Sequence, residues 1–340
     1  MNARERVLAA LQGVLPDRLP VMETIVDWRV QQALGFRAYF DLVDGLDLDA
    51  VSVSQRLYHP DHIPWLSREE RTFLDPWGAL WRITDEVWPT PLKGPIRAPE
   101  DLEGFRPPDP RNDPVLERVR EAAARYKGKR ALVMVARAVF VSSWNLVGME
   151  NLLVAYHSDP AFVDRLSRLV VDYNKELHRL ALEAGLDVIV LGDDYAHKTA
   201  TLMSPEHFRR FILPGFREVV ANIRACGGLC IKHSDGNIWA VLDDIVGCGV
   251  EGVGPLEPGA GMDRVEVKRR YPKLCVMGNV DVDLLCRGSV EEVRRATREL
   301  IERGSPGGRH ILSSGNSITS AVPPENFRVM VETAREFGRY

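Results

Sequence analysis

Asp187-Val188-Ile189-Val190-Leu191-Gly192, followed at once by Asp193-Asp194, is a short β-branched run that stops on polar residues. After it comes an amphipathic stretch from Pro205 to Cys226, then a second apolar run, Leu229 to His233. Near-continuous apolar strands separated by a helix of that length predict parallel strands buried on both faces. The unit recurs in both directions along the chain. Apolar runs stand at Leu19–Ile25, Asp49–Gln55, Ala131–Ala136, Val250–Gly254, Leu274–Gly278 and His310–Ser313 as well, eight in all. Helical patterns follow at Asn237–Cys248, Met262–Tyr271, Val290–Arg303 and Pro324–Phe337. Eight such units predict a closed (β/α)8 barrel of TIM type rather than an open sheet.

Local signals support these helices. Ser204-Pro205-Glu206 offers an N-cap, a proline at the first position and an acidic first turn. Ser289 with Glu292 is spaced as a capping box, and Gly249 and Gly338 fall just past helix ends, where left-handed residues are expected.

The irregular part is Arg56 to Arg130, read as an insertion of about 56–130 between the second and third strands of one domain spanning 1–340. Seven of the 22 prolines lie between Pro60 and Pro99, and three more follow in Pro107-Pro108-Asp109-Pro110. Within it, Thr72-Phe73-Leu74 and Ala79-Leu80-Trp81-Arg82 flank Asp75-Pro76-Trp77-Gly78, a hairpin signal. A long insertion of this kind serves as a lid or an oligomer surface.

Composition narrows the function classes. Of 340 residues, 45% are hydrophobic and 27% charged, as in ordinary globular proteins. A net charge of −4 gives no basic footprint for nucleic acid. No apolar run approaches the roughly 20 residues of a membrane span, and the start MNARERVLAALQG reads as a helix without a signal-peptide core, so a cytoplasmic location is expected. Five cysteines, an odd number, form no CxxC pair and are expected to lie mostly in the core.

In a barrel the residues just after each strand converge on one mouth. Collecting them gives Glu23, Arg137, Asp193, Asp194, His233, Asp235, Glu257, Asn279, Asp281 and Asn316. Five of these carboxylates, Glu23, Asp193, Asp235, Glu257 and Asp281, together with the histidine facing one space, would raise one another's pKa unless a metal or a cationic ligand neutralised them. His233-Ser234-Asp235-Gly236 is the sharpest signal, because residues two apart beyond a strand point the same way and suit a metal or an acid with its orienter. Each residue also has an ordinary structural role open to it. Asp-Gly forms turns, Asp193, Asp194, Asn279 and Asp281 suit helix caps, Glu23 suits a solvated loop, and Arg137 suits an ion pair. No phosphate-binding glycine loop or GxSxG elbow is present.

These strings together resemble the uroporphyrinogen decarboxylase superfamily, which includes the decarboxylases of haem synthesis and corrinoid-linked methyltransferases such as the coenzyme M methyltransferases. The resemblance runs from Arg4-Glu5-Arg6-Val7-Leu8-Ala9-Ala10-Leu11 and Pro16-Asp17-Arg18-Leu19-Pro20-Val21 through Met203-Ser204-Pro205-Glu206-His207-Phe208 and His233-Ser234-Asp235-Gly236. It continues in Gly261-Met262-Asp263, Gly278-Asn279-Val280-Asp281 and Pro323-Pro324-Glu325-Asn326. The fold it implies is the same barrel.

The decarboxylases of that family hold their tetrapyrrole's carboxylates with an Arg-Gln-Ala-Gly-Arg segment after the first strand. Here the place reads Glu23-Thr24-Ile25-Val26-Asp27-Trp28, with Arg29 the nearby cation. An acidic segment would repel an octa-acid, so uroporphyrinogen is not the expected substrate. The methyltransferase branch carries zinc on a His-x-Cys pair and a distant cysteine. His233 matches the histidine, while Asp235 and Asn316 occupy the cysteine positions.

The resemblance thus implies a methyltransferase-like enzyme moving a methyl group between a small methylated substrate and a corrinoid on a partner protein. His233, Asp235, Asp193 and Asp281 are the expected catalytic residues, with His233 and Asp235 as the metal ligands if zinc is bound. Glu23, Arg137, Asp194, Glu257, Asn279 and Asn316 are the expected substrate-binding residues, and Glu23, Asp193 and Asp194 would favour a cation such as a quaternary amine. The alternatives are a decarboxylase of a small acid, using Arg137 or Arg29, and a silent barrel that binds a corrinoid protein or small ligand. A homodimer is expected by the same resemblance, with Trp65, Trp77, Trp81 and Trp88 of the insertion as interface or lid residues.

Overall fold

The computed structural model describes residues 1–55 and 63–340 of the chain. Residues 56–62, the start of the stretch expected as an insertion, lie outside the described residues. In chain order the strands are β1 (Ala50–Ser54), β2 (Trp65–Ser67), β3 (Thr72–Leu74), β4 (Leu80–Arg82), β5 (Thr90–Lys93), β6 (Ala131–Ala136), β7 (Val188–Gly192), β8 (Leu229–Ser234), β9 (Gly252–Pro255), β10 (Cys275–Met277) and β11 (His310–Ile311). Seven of them form one parallel sheet in the order β1-β6-β7-β8-β9-β10-β11, and β2 to β5 form an antiparallel sheet of their own.

Both edges of the parallel sheet are joined by the segment around Val21, the closure expected of a TIM-type barrel. Leu312 N–H donates to the Pro20 carbonyl and Met22 N–H to the Leu312 carbonyl, while Asp49 N–H donates to the Val21 carbonyl on the other side. The first apolar run, Leu19–Ile25, was expected as a full strand and instead makes an isolated bridge at Val21, with another just past it at Val26. The reason is local. Pro20 has no N–H to give, and the Val21 N–H is taken by the Asp49 carboxylate at 2.9 Å rather than by a neighbouring strand.

Inside the sheet, Met22, Val133, Val135, Val190, Ile231, Met277 and Ile311 pack together with Val7, Ala10 and Leu11 of the helix Ala3–Gln12. That helix contacts the chain at the beginnings of the strands, through Arg4 N–H to the Lys129 carbonyl and the Arg4–Asp187 ion pair at 2.8 Å. Burying an aliphatic side chain contributes about 1.5–3 kcal/mol, so the helix seals the amino-terminal end and leaves the carboxyl end as the open mouth. The outward faces of the strands meet the surrounding helices in a second, larger core.

The helix signals hold with two corrections. Ser289 and Glu292 form the capping box, Ser204 caps the helix at Pro205, and Gly249 is left-handed at φ +88°. Gly338, however, has φ −85°. Glycine is needed there because a Cβ would stand 2.3 Å from the Ala334 carbonyl oxygen. The helix expected from Pro205 to Cys226 is interrupted by a π-turn at Phe208–Ile212 before it resumes over Leu213–Ala225. Pro214 supplies no N–H to the Arg210 carbonyl, and the wider turn accommodates the gap.

The hairpin expected at Asp75–Gly78 is present, with β3 and β4 paired and the Asp75 carboxylate accepting from the N–H groups of Trp77 and Ala79. Trp77 packs edge-on against Tyr173 of the helix Pro160–Glu183, at 4.6 Å between ring centres. No helix among the described residues is long and apolar enough to cross a membrane.

Candidate active site

The mouth holds a cleft of about 670 Å³. Of the residues expected to converge there, Arg137, Asp194, His233, Asp235, Glu257, Asp281 and Asn316 line it. Three of them meet closely. His233 Nε2 stands 3.8 Å from an Asp194 oxygen and 3.5 Å from Asp235 Oδ1. Strand alternation explains the pairing: His233 and Asp235 project one way, Lys232 and Ser234 the other.

The turn after β8 is fixed by its neighbours. Asp235 N–H donates to Asp194 Oδ1 at 3.1 Å, and Gly236 N–H donates to Glu257 Oε2 at 3.0 Å. At Gly236, with φ +77°, a Cβ would lie 2.6 Å from the Ala196 backbone, so only glycine lets the loop after β7 pack over this turn. Asn316 Nδ2 donates to Asp235 Oδ2 at 2.9 Å, and its own amide oxygen accepts from Ser317 N–H at 2.7 Å. Through its Nδ2 the residue acts as a donor that orients Asp235. Asp235 Oδ1 is buried and has no hydrogen-bond partner among the described residues. Burial raises the Asp235 pKa, and the nearby His233 opposes the shift.

One donor atom from each of Asp194, His233 and Asp235 lies within 4.8 Å of the others. Two carboxylates and an imidazole form a donor set that suits zinc or another borderline divalent ion. The unpartnered Asp235 Oδ1 is the atom such an ion would satisfy.

Three expected residues do not reach the cleft. Asp193 is fully buried, and its carboxylate accepts from the backbone N–H groups of Ala138, Val139, Phe140 and Val141, at 2.7–3.4 Å. It caps the start of the helix Phe140–Val147 from behind the barrel wall. Asn279 is buried, with its amide on the Leu256 carbonyl. Glu23 is also buried, not a solvated loop residue. Its carboxyl receives Ser314 N–H and faces Ser314 Oγ, both at 2.7 Å, and burial pushes its pKa up to about 8. The Ser314 hydroxyl has one proton and also contacts the Asn316 carbonyl. Both contacts are satisfied when the Glu23 carboxyl is protonated and donates to Ser314 Oγ. Asp281 lines the cleft and at the same time caps the helix Val282–Arg287 through Leu284 N–H.

Lys232 was not among the residues expected at the site, yet it is fully buried behind it. Its ammonium donates to the carbonyls of Leu191, Asp193 and His233 and lies 3.9 Å from the centre of the Tyr195 ring. It thus ties the end of β7, where Asp194 begins, to the end of β8, where His233 stands. Burial lowers its pKa to about 8. The signal available was a lysine inside an otherwise apolar strand, since lysine is almost never fully buried without a purpose.

A parallel barrel with a polar, metal-competent mouth is the frame of a large class of enzymes. The family model described as Uroporphyrinogen decarboxylase (URO-D) matches residues 78–337, and the chain belongs to that family. Relatives of both kinds expected from the resemblance occur. A uroporphyrinogen decarboxylase of Crocosphaera subtropica is 23% identical, over 98% of this chain and 96% of its own length. A methylated-thiol–coenzyme M methyltransferase of Methanosarcina mazei is 27% identical, over 74% of this chain and 62% of its own. Among solved structures, a methyltransferase from Methanosarcina mazei superposes with a TM-score of 0.81 at 20% identity, covering 99% of both chains, which shows a shared fold.

Proposed function

We propose that the chain is a methyltransferase of this family, one domain with 56–130 as an insertion, that moves a methyl group between a small substrate and a corrinoid carried by a partner protein. The observation that carries the reading is the meeting of His233, Asp235 and Asn316 at one cleft, joined by Asp194. By the resemblance, His233, Asp235 and Asn316 stand at the positions where the methyltransferases hold zinc, with Asp235 and Asn316 in place of the two cysteines.

The corrinoid would supply the cobalt that carries the methyl group. Asp194, His233 and Asp235 would hold a divalent ion, which polarises the substrate heteroatom that gains or loses the methyl. Asn316 keeps Asp235 oriented by its hydrogen bond, and the walls place the substrate in line with the opening, which methyl transfer requires. Carboxylates donate less electron density than thiolates, so an ion here would be more electrophilic than one held by cysteines.

The segment Glu23 to Trp28 carries no arginine where the decarboxylases carry theirs, and this absence, rather than the buried Glu23 and Asp27, favours the reading over uroporphyrinogen decarboxylation. A decarboxylase of a small acid is the second reading, and Arg137 facing the cleft is what favours it. Parallel assays separate methyl transfer from uroporphyrinogen decarboxylation. Incubation with methylcobalamin and candidate acceptors should change the visible corrinoid spectrum, and incubation with uroporphyrinogen should yield no coproporphyrinogen. Enzyme-like coproporphyrinogen formation would overturn the proposal. A homodimer belongs to the same proposal, although Trp77 and Trp81 are buried within the chain and Trp88 faces the cleft.

A further inference from the structure

The charge of the cleft is unbalanced in a way that no metal alone corrects. Among the described residues, seven carboxylates line it, against Arg137 and Lys198. Asp75 is engaged in its own turn, and a divalent ion would neutralise Asp194 and Asp235. Glu86, Glu257, Asp281 and Asp283 remain against Arg137 and Lys198; Glu257 and Asp281 also accept backbone N–H groups and Asp283 lies 3.9 Å from Arg287, yet the lining among the described residues stays acidic.

A second observation points the same way. Asn145 lines the cleft, is 3% exposed, and its amide oxygen has no hydrogen-bond partner among the described residues. Leaving a buried acceptor unmatched is costly, and a positively charged or hydrogen-bond-donating ligand would relieve it.

The walls also suit a cation. Trp88 and Trp144 line the cleft, and the Arg137 guanidinium already sits 5.2 Å from the Trp88 ring centre. Indole faces attract cations, and quaternary ammonium groups are bound in this way because they cannot donate conventional hydrogen bonds.

We infer that the cleft recognises its small substrate as an organic cation, a methylated ammonium compound. The inference rests on the methyltransferase reading for the identity of the transferred group, but recognition is separable from transfer. Glu23 and Asp193, the acids first expected to attract such a substrate, are not its partners. The charge comes from the rim carboxylates Glu86 and Asp283 and the deeper Glu257 and Asp281.

The test is calorimetric binding to the full chain, without corrinoid, of choline and of 3,3-dimethyl-1-butanol, its neutral isostere, with acetate as the anionic control. Choline should bind at least about tenfold more tightly than the neutral alcohol, as expected of a desolvated cation–π site. The preference should shrink as salt is raised. Trp144→Leu should reduce choline affinity about fivefold while leaving the alcohol unchanged. Glu86→Gln and Asp283→Asn, both exposed side chains whose loss does not threaten folding, should each weaken choline alone. Equal binding of choline and the alcohol, preference for acetate, or no binding of choline up to millimolar concentration would each overturn the inference. Selective choline binding without methyl transfer from any ammonium donor would refute the methyltransferase reading and leave the recognition standing. Methyl transfer from a neutral donor without choline selectivity would do the reverse.

Discussion

Replacing Glu23 by glutamine should stabilise the protein at neutral pH. In the folded chain its carboxyl is buried, and its pKa is raised from 4.5 to about 8. In the unfolded chain it titrates near its ordinary value, so between those limits the folded state holds a proton that the unfolded state has released. Stability from this group is then greatest below about pH 4.5 and falls as pH rises, levelling off above about pH 8. Each pH unit in that window corresponds to about 1.4 kcal/mol, so at pH 7 the cost reaches about 3 kcal/mol as an upper figure. Glutamine reproduces the protonated geometry. Its oxygen can accept Ser314 N–H and its amide can donate to Ser314 Oγ, the two contacts the acid makes. Urea unfolding of both proteins at pH 4.5, 7 and 9 isolates the effect, because other groups titrate equally in each. Glu23→Gln should match the wild type at pH 4.5 and exceed it by about 3 kcal/mol at pH 7. A difference that does not change with pH, or a glutamine variant that loses stability as pH rises, would refute the reasoning.

Lys232→Met should destabilise the fold by about 1–3 kcal/mol, because carbonyls of β7 and β8 lose their buried donor. It should also weaken zinc binding about tenfold in a chelator competition, since those carbonyls precede or belong to Asp194 and His233. Asp193→Ala should cost about 3 kcal/mol or more by denaturant unfolding, leaving four buried N–H groups without their shared acceptor. Mass measurement in solution at micromolar concentration should report a dimer, and a monomer would count against that part of the proposal.

How much of this was open to reading from the chain depended on where each partner lay. Runs such as Val188–Gly192 and the capping box at Ser289 are local, and they announced their strands and helix directly. His233 and Asp235 were paired by the two-residue period of a strand, which also needs no distant information. Neighbouring Asp193 and Asp194 show the limit. Both follow β7, yet one turns inward to the start of the helix Phe140–Val147 and the other faces the cleft, a choice made by residues more than 50 positions away. Glu23 is held by Ser314, 291 residues distant, so nothing near it in sequence signals burial. Asp49 likewise removed the first strand's ladder by taking the Val21 N–H.

The central claim is that Asp194, His233 and Asp235 form the centre of a methyl-transfer site, and substitution within that centre tests it most directly. Turnover would be followed by the absorbance of methylcobalamin for the wild type, His233→Ala and Asp235→Ala, with circular dichroism to check each fold. The wild type should exchange methyl groups, and both variants should lose at least about 100-fold of the rate while keeping native secondary structure. Unchanged rates in the two variants would contradict the account, as would a wild type that leaves the corrinoid spectrum untouched with every donor and acceptor offered.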